Sequence, residues 1–206
     1  MTATSRKEKA AETEAALKEA AKRVFAARGY LNTKITDITA EAGRSAGSFY
    51  NHFAGKEELL EALLADISAT GDSTAEQPGH SPDFSTPEAI RWHVATYWHF
   101  YRENAATMLA LRQASMINDE FGRKLARFGA NEQEDVANHL AYVTDAGLRL
   151  PATPQLTIAM MYQLIDSFAQ MWLLSPMPAG WNEPTDEEAI DALTRFVYRG
   201  FTGRDF

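Results

Sequence analysis

An all-α fold is predicted for this chain from three observations. Apolar residues recur at i, i+3, i+4 and i+7 through most of the 206 residues, the spacing of one helix face. Proline and capping residues fall at the ends of those runs. No segment alternates convincingly as a strand, and no internal repeat is present.

The elements follow in order. Leu17, Ala21, Val24 and Phe25 line one face of a first helix, which Gly29 ends as a glycine tolerant of the left-handed turn. Ile35, Ile38 and Ala42 give a short second helix, opening after Asn32 and Thr33, both good N-cap types. Gly43 breaks that pattern and Ser45 starts a third helix, with Ala46, Phe49, Tyr50 and Phe53 on an inward stripe. Leu59, Leu60, Leu63, Leu64 and Ile67 mark a fourth, with Lys56 in its first turn. Residues 70–86 are rich in Pro, Gly, Ser and Thr and read as a mobile linker. Ser85 or Thr86 followed by Pro87 opens the next helix, which carries Ile90, Val94, Tyr97, Trp98 and Tyr101 and ends near Asn104. Helices are expected over 105–116 and about 118–147. Thr153-Pro154 opens another that Ser175-Pro176 closes, and Thr185 with Glu188 forms a capping box for the last.

Residues 42–60 carry the clearest functional signal. Two helices meet there at a tight turn, and the second presents Ser45, Gly47, Ser48, Asn51 and His52 opposite its apolar stripe. A helix that small on its outer face can approach nucleic acid closely, with donors aimed at phosphates and base edges. Charge agrees with this. Residues 1–56 hold ten Lys and Arg against six Asp and Glu, a balance of +4, whereas residues 57–206 carry −12 of the total of −8. Phosphate attraction is local, screened beyond about 10 Å, so a basic head on an acidic body suits DNA bound at one end.

Here the sequence resembles the TetR family of helix-turn-helix transcriptional repressors. The resemblance rests on Phe25, Gly29-Tyr30, Ile35, Asp37-Ile38, Ala42-Gly43, Ser45, Gly47, Phe49-Tyr50, His52-Phe53 and Lys56-Glu57, all in fixed register. It covers the first third of the chain. It departs from the family pattern at Lys34, where a capping Thr is usual, at Arg44, where an apolar residue packs between helices, and at Gly55, where Ser is common. The resemblance implies a three-helix DNA-binding head over 8–56 and a helical effector-binding and dimerisation domain over 57–206, with 57–70 a connecting helix. It implies DNA contacts from Thr33, Lys34, Thr36, Arg44, Ser45, Ala46, Gly47, Ser48, Tyr50, Asn51, His52 and Lys56. Arg44, too costly to bury unpaired, is expected to snorkel outward beside the third helix.

The second domain is rich in aromatic and Met side chains, from Trp92 to Trp172. These read either as ordinary core or as a pocket for an apolar effector. Tyr97, Tyr101, Met108, Gln163, Asp166 and Trp172 are the pocket candidates, with Asp166 as polar anchor; Gln113 and Asn118 could add polar groups. Leu156, Met160, Leu164, Met171, Leu193, Phe196 and Val197, on two adjacent helices, are candidates for a homodimer interface.

Other classes are disfavoured. Gly43 to Gly47 satisfies G-x-S-x-G, but a serine nucleophile of that type needs a strand before the turn, and helix is expected there. The five histidines (52, 80, 93, 99, 139) form no His-Glu-x-x-His pair, so neither a metal site nor any cofactor is expected. There is no cysteine, no apolar leader in Met1–Glu14, and no run of roughly 18 apolar residues that would span a bilayer. The expectation is a soluble cytoplasmic homodimer that binds operator DNA and a hydrophobic effector. The alternative is a helical carrier or enzyme with a vestigial helix-turn-helix.

Overall fold

The computed structural model describes residues 5–71, 79–175, 179–182 and 184–206. All regular structure among them is helical: α1 (Arg6–Arg28), α2 (Ile35–Glu41), α3 (Ala46–Tyr50), α4 (Lys56–Gly71), α5 (Pro87–Glu103), α6 (Ala105–Ile117), α7 (Asp119–Ala137), α8 (Leu140–Asp145), α9 (Pro154–Leu174) and α10 (Asp186–Thr202). None of these helices is long and apolar enough to cross a membrane. The chain divides into two compact units, Met1–Asp72 with Ala106–Leu125 and Ser73–Ala105 with Ala126–Phe206.

In the first unit, α1 opens on a capping box: Ser5 Oγ accepts the Glu8 N–H at 3.2 Å, and the Glu8 carboxylate accepts the Ser5 N–H. Gly29 closes the helix at φ 73, with its N–H on the Phe25 carbonyl. Neither Asn32 nor Thr33 caps α2, contrary to the sequence expectation. Asn32 Nδ2 donates to the Arg28 carbonyl (3.1 Å) and Thr33 Oγ1 to that of Gly29 (2.8 Å), so both bond back to the end of α1. Lys34 takes the N-cap position instead, and its N–H donates to the Asp37 carboxylate at 2.9 Å.

Leu17, Ala20, Ala21 and Phe25 of α1 bury against Ile38 of α2, Phe49 and Phe53 around α3, and Leu59, Leu60 and Leu63 of α4. Ala110, Leu111 and Ala114 of α6 and Phe121 of α7 complete the same core. The unit is therefore larger than the 8–56 head anticipated from the sequence. Gln113 and Asn118, expected as pocket groups, serve this packing. Gln113 Oε1 accepts the Tyr30 N–H at 2.9 Å, and Asn118 Oδ1 accepts the Phe121 N–H at 3.0 Å at the start of α7.

In the second unit α10 packs along α5 and α9, and α5 also meets α9. The helix starts are as read: Thr86 before Pro87, Thr153 before Pro154, and Thr185 with Glu188 in a capping box. Helix α9 ends at Leu174 with Ser175 as its C-cap; Pro176, expected with Ser175 to close it, lies outside the described residues. The long helix expected over 118–147 is broken. Asn138 and His139 donate to the carbonyls of Asp135 and Val136, three residues back, which tightens the chain into a turn between α7 and α8. Of the expected linker 70–86, residues 72–78 lie outside the described residues. Residues 79–86 form a packed turn: Asp83 Oδ1 accepts from Ser85 N (3.0 Å) and Oγ (2.6 Å), and Phe84 is fully buried. A single aromatic ring there outweighs the polar composition around it.

The Tyr30–Gln113 bond ties the α1–α2 turn to α6. Gln113→Ala should leave a half-buried N–H without its acceptor and cost about 1–3 kcal/mol. Urea unfolding of the full chain measures this; an unchanged midpoint would show that the bond contributes nothing.

Candidate nucleic-acid interface

Helix α3 is only five residues long, and its footing is aromatic. Phe49 is fully buried and Phe53 4 % exposed, with their rings 5.7 Å apart. The preceding turn passes through Gly43 at φ 62, a left-handed conformation that favours glycine. Ser45 caps the helix, its Oγ accepting the Ser48 N–H at 3.1 Å. The G-x-S-x-G spacing is thus preceded by helix α2 and ends in a cap, not in a nucleophile elbow.

The other side of α3 faces outward. Ser45, Ala46, Gly47 and Asn51 are exposed and Ser48 half-buried. Two residues assigned to the inward stripe are on this outer side. Tyr50 is 59 % exposed, with its ring edge-on to Phe49 at 5.6 Å, and Ala46 is exposed. Within α3 only Phe49 is buried, and the turn after Tyr50 carries Phe53 back to the core.

Around α3, Lys34 at the N-cap of α2 and Thr36 on it are exposed. Arg44 is enclosed at its Nε, which has no hydrogen-bond partner among the described residues, while its guanidinium reaches to 3.7 Å from Glu12. It neither packs fully nor swings free. The His52 imidazole is 15 % exposed, 3.9 Å from the Glu14 carboxylate. Arg28 pairs with Asp37 at 3.0 Å and Arg23 with Glu41 at 2.6 Å, so those four charges are largely spent on one another.

Residues 17–63 match the family model described as bacterial regulatory proteins, tetR family. The likeness of this segment is to the TetR family. Among curated relatives, the HTH-type transcriptional regulator TtgR of Pseudomonas putida is 45 % identical over 69 residues, covering 34 % of this chain and 33 % of that one. The HTH-type transcriptional repressor DhaR of a Mycobacterium species is 40 % identical over 70 residues, 32 % and 35 % of the two chains. The chain thus spans about a third of the length of these relatives. Likeness to solved structures is longer and weaker in sequence. A tetR-family regulatory protein from Rhodococcus RHA1 superposes with a TM-score of 0.73 at 19 % identity, over 92 % of this chain and 97 % of the other. A putative TetR-family regulator from Rhodococcus sp. gives 0.70 at 22 %, over 93 % and 100 %. At such identities the likeness concerns the fold.

Two of the residues expected to meet DNA turn inward instead. Thr33 is 3 % exposed with its hydroxyl on the Gly29 carbonyl. Lys56 Nζ donates to the carbonyls of Tyr30 (2.9 Å) and Thr33 (3.1 Å) and lies 4.2 Å from the centre of the Tyr30 ring. The Tyr30 hydroxyl in turn donates to Glu57 at 2.6 Å; burial first, and then that carboxylate, hold the phenol protonated.

The candidate effector residues separate. Met108 packs against the core of the first unit, and Gln163 is exposed, bonded to Ser167. Tyr97, Tyr101 and Asp166 do come together. The Tyr97 ring lies 6.4 Å from Tyr101 and 5.4 Å from Tyr162, and its hydroxyl approaches Asp166 at 3.4 Å. Burial above all raises the Tyr97 pKa, with the Asp166 charge adding to it. Trp172 stacks between Phe168 and Trp181, its enclosed Nε1 without a partner among the described residues. Sequence motifs also missed a group able to hold a metal ion: His80, His93 and His139, from three separate segments.

Lys56→Met keeps the aliphatic stem and removes both carbonyl bonds. Hydrogen bonds from a charged donor contribute about 1.5–3 kcal/mol, so the variant should unfold at lower denaturant concentration. A variant as stable as the parent would show that the ammonium is dispensable to the head.

Proposed function

We propose that this protein is a DNA-binding transcriptional regulator, a repressor that binds a palindromic or pseudo-palindromic operator as a homodimer and is released by an apolar or amphipathic small molecule. The observation that carries the reading is α3: a short helix seated on Phe49 and Phe53 whose outer surface is only Ser, Ala, Gly, Asn and one exposed Tyr. Such a surface fits a major groove without steric cost, and its hydroxyl, amide and phenol groups can bond phosphates or base edges. In this reading Lys34, Thr36, Arg44, Ser45, Ala46, Gly47, Ser48, Tyr50, Asn51 and His52 meet DNA, while Thr33 and Lys56 brace the helices that hold them. The names of the relatives, transcriptional regulators and repressors, support it.

The dimer reading rests on an apolar stripe. Leu156, Met160 and Met171 on α9 are 54 %, 45 % and 38 % exposed, and Phe196 on α10 is 67 % exposed. Leu164 is half-buried within the same stripe. Leu193 and Val197, expected in it, belong to the unit's own core at 4 % and 3 % exposure. Two recognition helices related by a two-fold axis would read half-sites about one helical turn, or a multiple of it, apart. For the effector, Tyr97, Tyr101, Tyr162 and Asp166 offer aromatic walls and one acid. A ligand acts on such a regulator only through its preference for the DNA-incompetent state; a 100-fold preference corresponds to about 2.7 kcal/mol. The runner-up, a helical carrier with an idle helix-turn-helix, differs in one measurable respect: it would not neutralise phosphates.

Genomic fragments selected by the purified protein should supply an operator, and its affinity should fall steeply with salt. Lys34→Ala and Arg44→Val should each flatten the log–log slope by about one unit. Fragments retained without sequence preference or salt dependence favour the carrier reading. In sedimentation at micromolar concentration the parent should run as twice its 22.9 kDa, and Phe196→Glu should shift it toward monomer. A monomeric parent would sink the dimer.

A further inference from the structure

His80, His93 and His139 converge within the second unit although 13 and 46 residues separate them along the chain. Their ring centroids lie 5.2, 5.5 and 5.1 Å apart. One potential ligand nitrogen from each falls within 4.8 Å of the others, and all three side chains are half-buried. Three features of the surroundings prepare these rings as ligands and not merely as packing.

The first is orientation. His93 Nδ1 lies 2.9 Å from the Ala89 carbonyl, so it carries the proton and donates it, leaving the Nε2 lone pair outward. That backbone bond is the usual device by which a metal-binding histidine has its tautomer and ring angle set. The second is an enclosed Nδ1 on His139 that has no hydrogen-bond partner among the described residues. The third is the frame. Phe84 sits 4.7 Å from His93 and 5.1 Å from His139, and Trp92 sits 5.0 Å from His80 and 4.9 Å from His93. The two aromatic rings limit where the imidazoles can go, and the positive φ of Gly79 (88) brings the His80 segment onto Trp92.

We propose that His80, His93 and His139 form a three-histidine site for a divalent transition-metal ion of the zinc class. Neutral imidazole suits zinc, nickel and copper ions, and calcium or magnesium would require oxygen ligands. Two nitrogens at about 2.0–2.1 Å from one tetrahedral centre stand about 3.3 Å apart. Rotation of the rings by up to about 1.5 Å would close the 4.8 Å envelope onto an ion. Water takes the fourth position. The ion would pin residues 79–86, the start of α5 and the α7–α8 turn to one another. This site is independent of the DNA-binding reading.

The test uses the full chain with any affinity tag removed and the protein first dialysed against chelator. Zinc is titrated calorimetrically, and cobalt(II) is titrated by its visible d–d absorption. One ion per chain is expected, with a rise in Tm on adding zinc. His80→Ala and His139→Ala should each weaken binding at least tenfold, whereas His99→Ala, on the same helix as His93, should leave it unchanged. If His139→Ala fails to fold, His80→Ala, in a turn, decides alone. Absence of saturable binding, or binding unaffected by His80→Ala, overturns the proposal and leaves an aromatic packing cluster.

Discussion

A helix of five residues closes too few internal hydrogen bonds to hold itself. Whatever α3 does depends on the burial of Phe49 and Phe53 against Ile38 and the face of α1 formed by Leu17, Ala21 and Phe25. Everything else in the first unit serves that constraint. Helix α4 supplies Leu59, Leu60 and Leu63 beneath it, and α6 supplies Ala110 and Ala114, small enough for close approach. Lys56 then ties the first turn of α4 to the carbonyls of the α1–α2 turn, while Glu57 holds Tyr30 from the next position. Polar groups there stiffen a frame whose cohesion is apolar.

Much of this was legible because it is local. Caps and breakers placed the helix ends near residues 29, 86, 104, 153 and 185, and the register of 42–60 identified the helix-turn-helix. What escaped was non-local or directional. The Ala-rich face of α6 carries no mark of the partner it serves, so its place in the first unit could not be read. Phe84 looked like one apolar residue in a polar segment. The break at Asn138 and His139 has neither Pro nor Gly to announce it. The three histidines share no spacing, because each reaches the cluster from a different element.

The direction of side chains was the other blind spot. A pattern of i, i+3, i+4 and i+7 spans a wide face, and only Phe49 within α3 and Phe53 beyond it reach the core, so Ala46 and Tyr50 stand on the exposed side. Thr33 and Lys56 were expected at phosphates because of where they stand in the chain. Their polar atoms are bonded to carbonyls instead. In the second unit, the acidic excess is partly structural: Asp186 accepts the Trp98 indole N–H at 2.7 Å and pairs with Arg102, while Asp191 and Glu187 hold Arg91. Acids in the first turn of α10 also complement its dipole.

The outer surface of α3 shares almost nothing with the surface that folds it. A side chain added at Gly47 would meet only the Ser45 hydroxyl, 3.9 Å from its Cβ, and Ala46 and Asn51 are exposed. Substitution at these positions therefore carries little stability cost, since no core contact is lost. If α3 meets DNA as proposed, gene duplicates of such a protein would drift in sequence preference while remaining folded throughout. The exposed residues of α3 and the residues that cohere are thus inherited as nearly separate traits, which leaves one scaffold open to many outer surfaces.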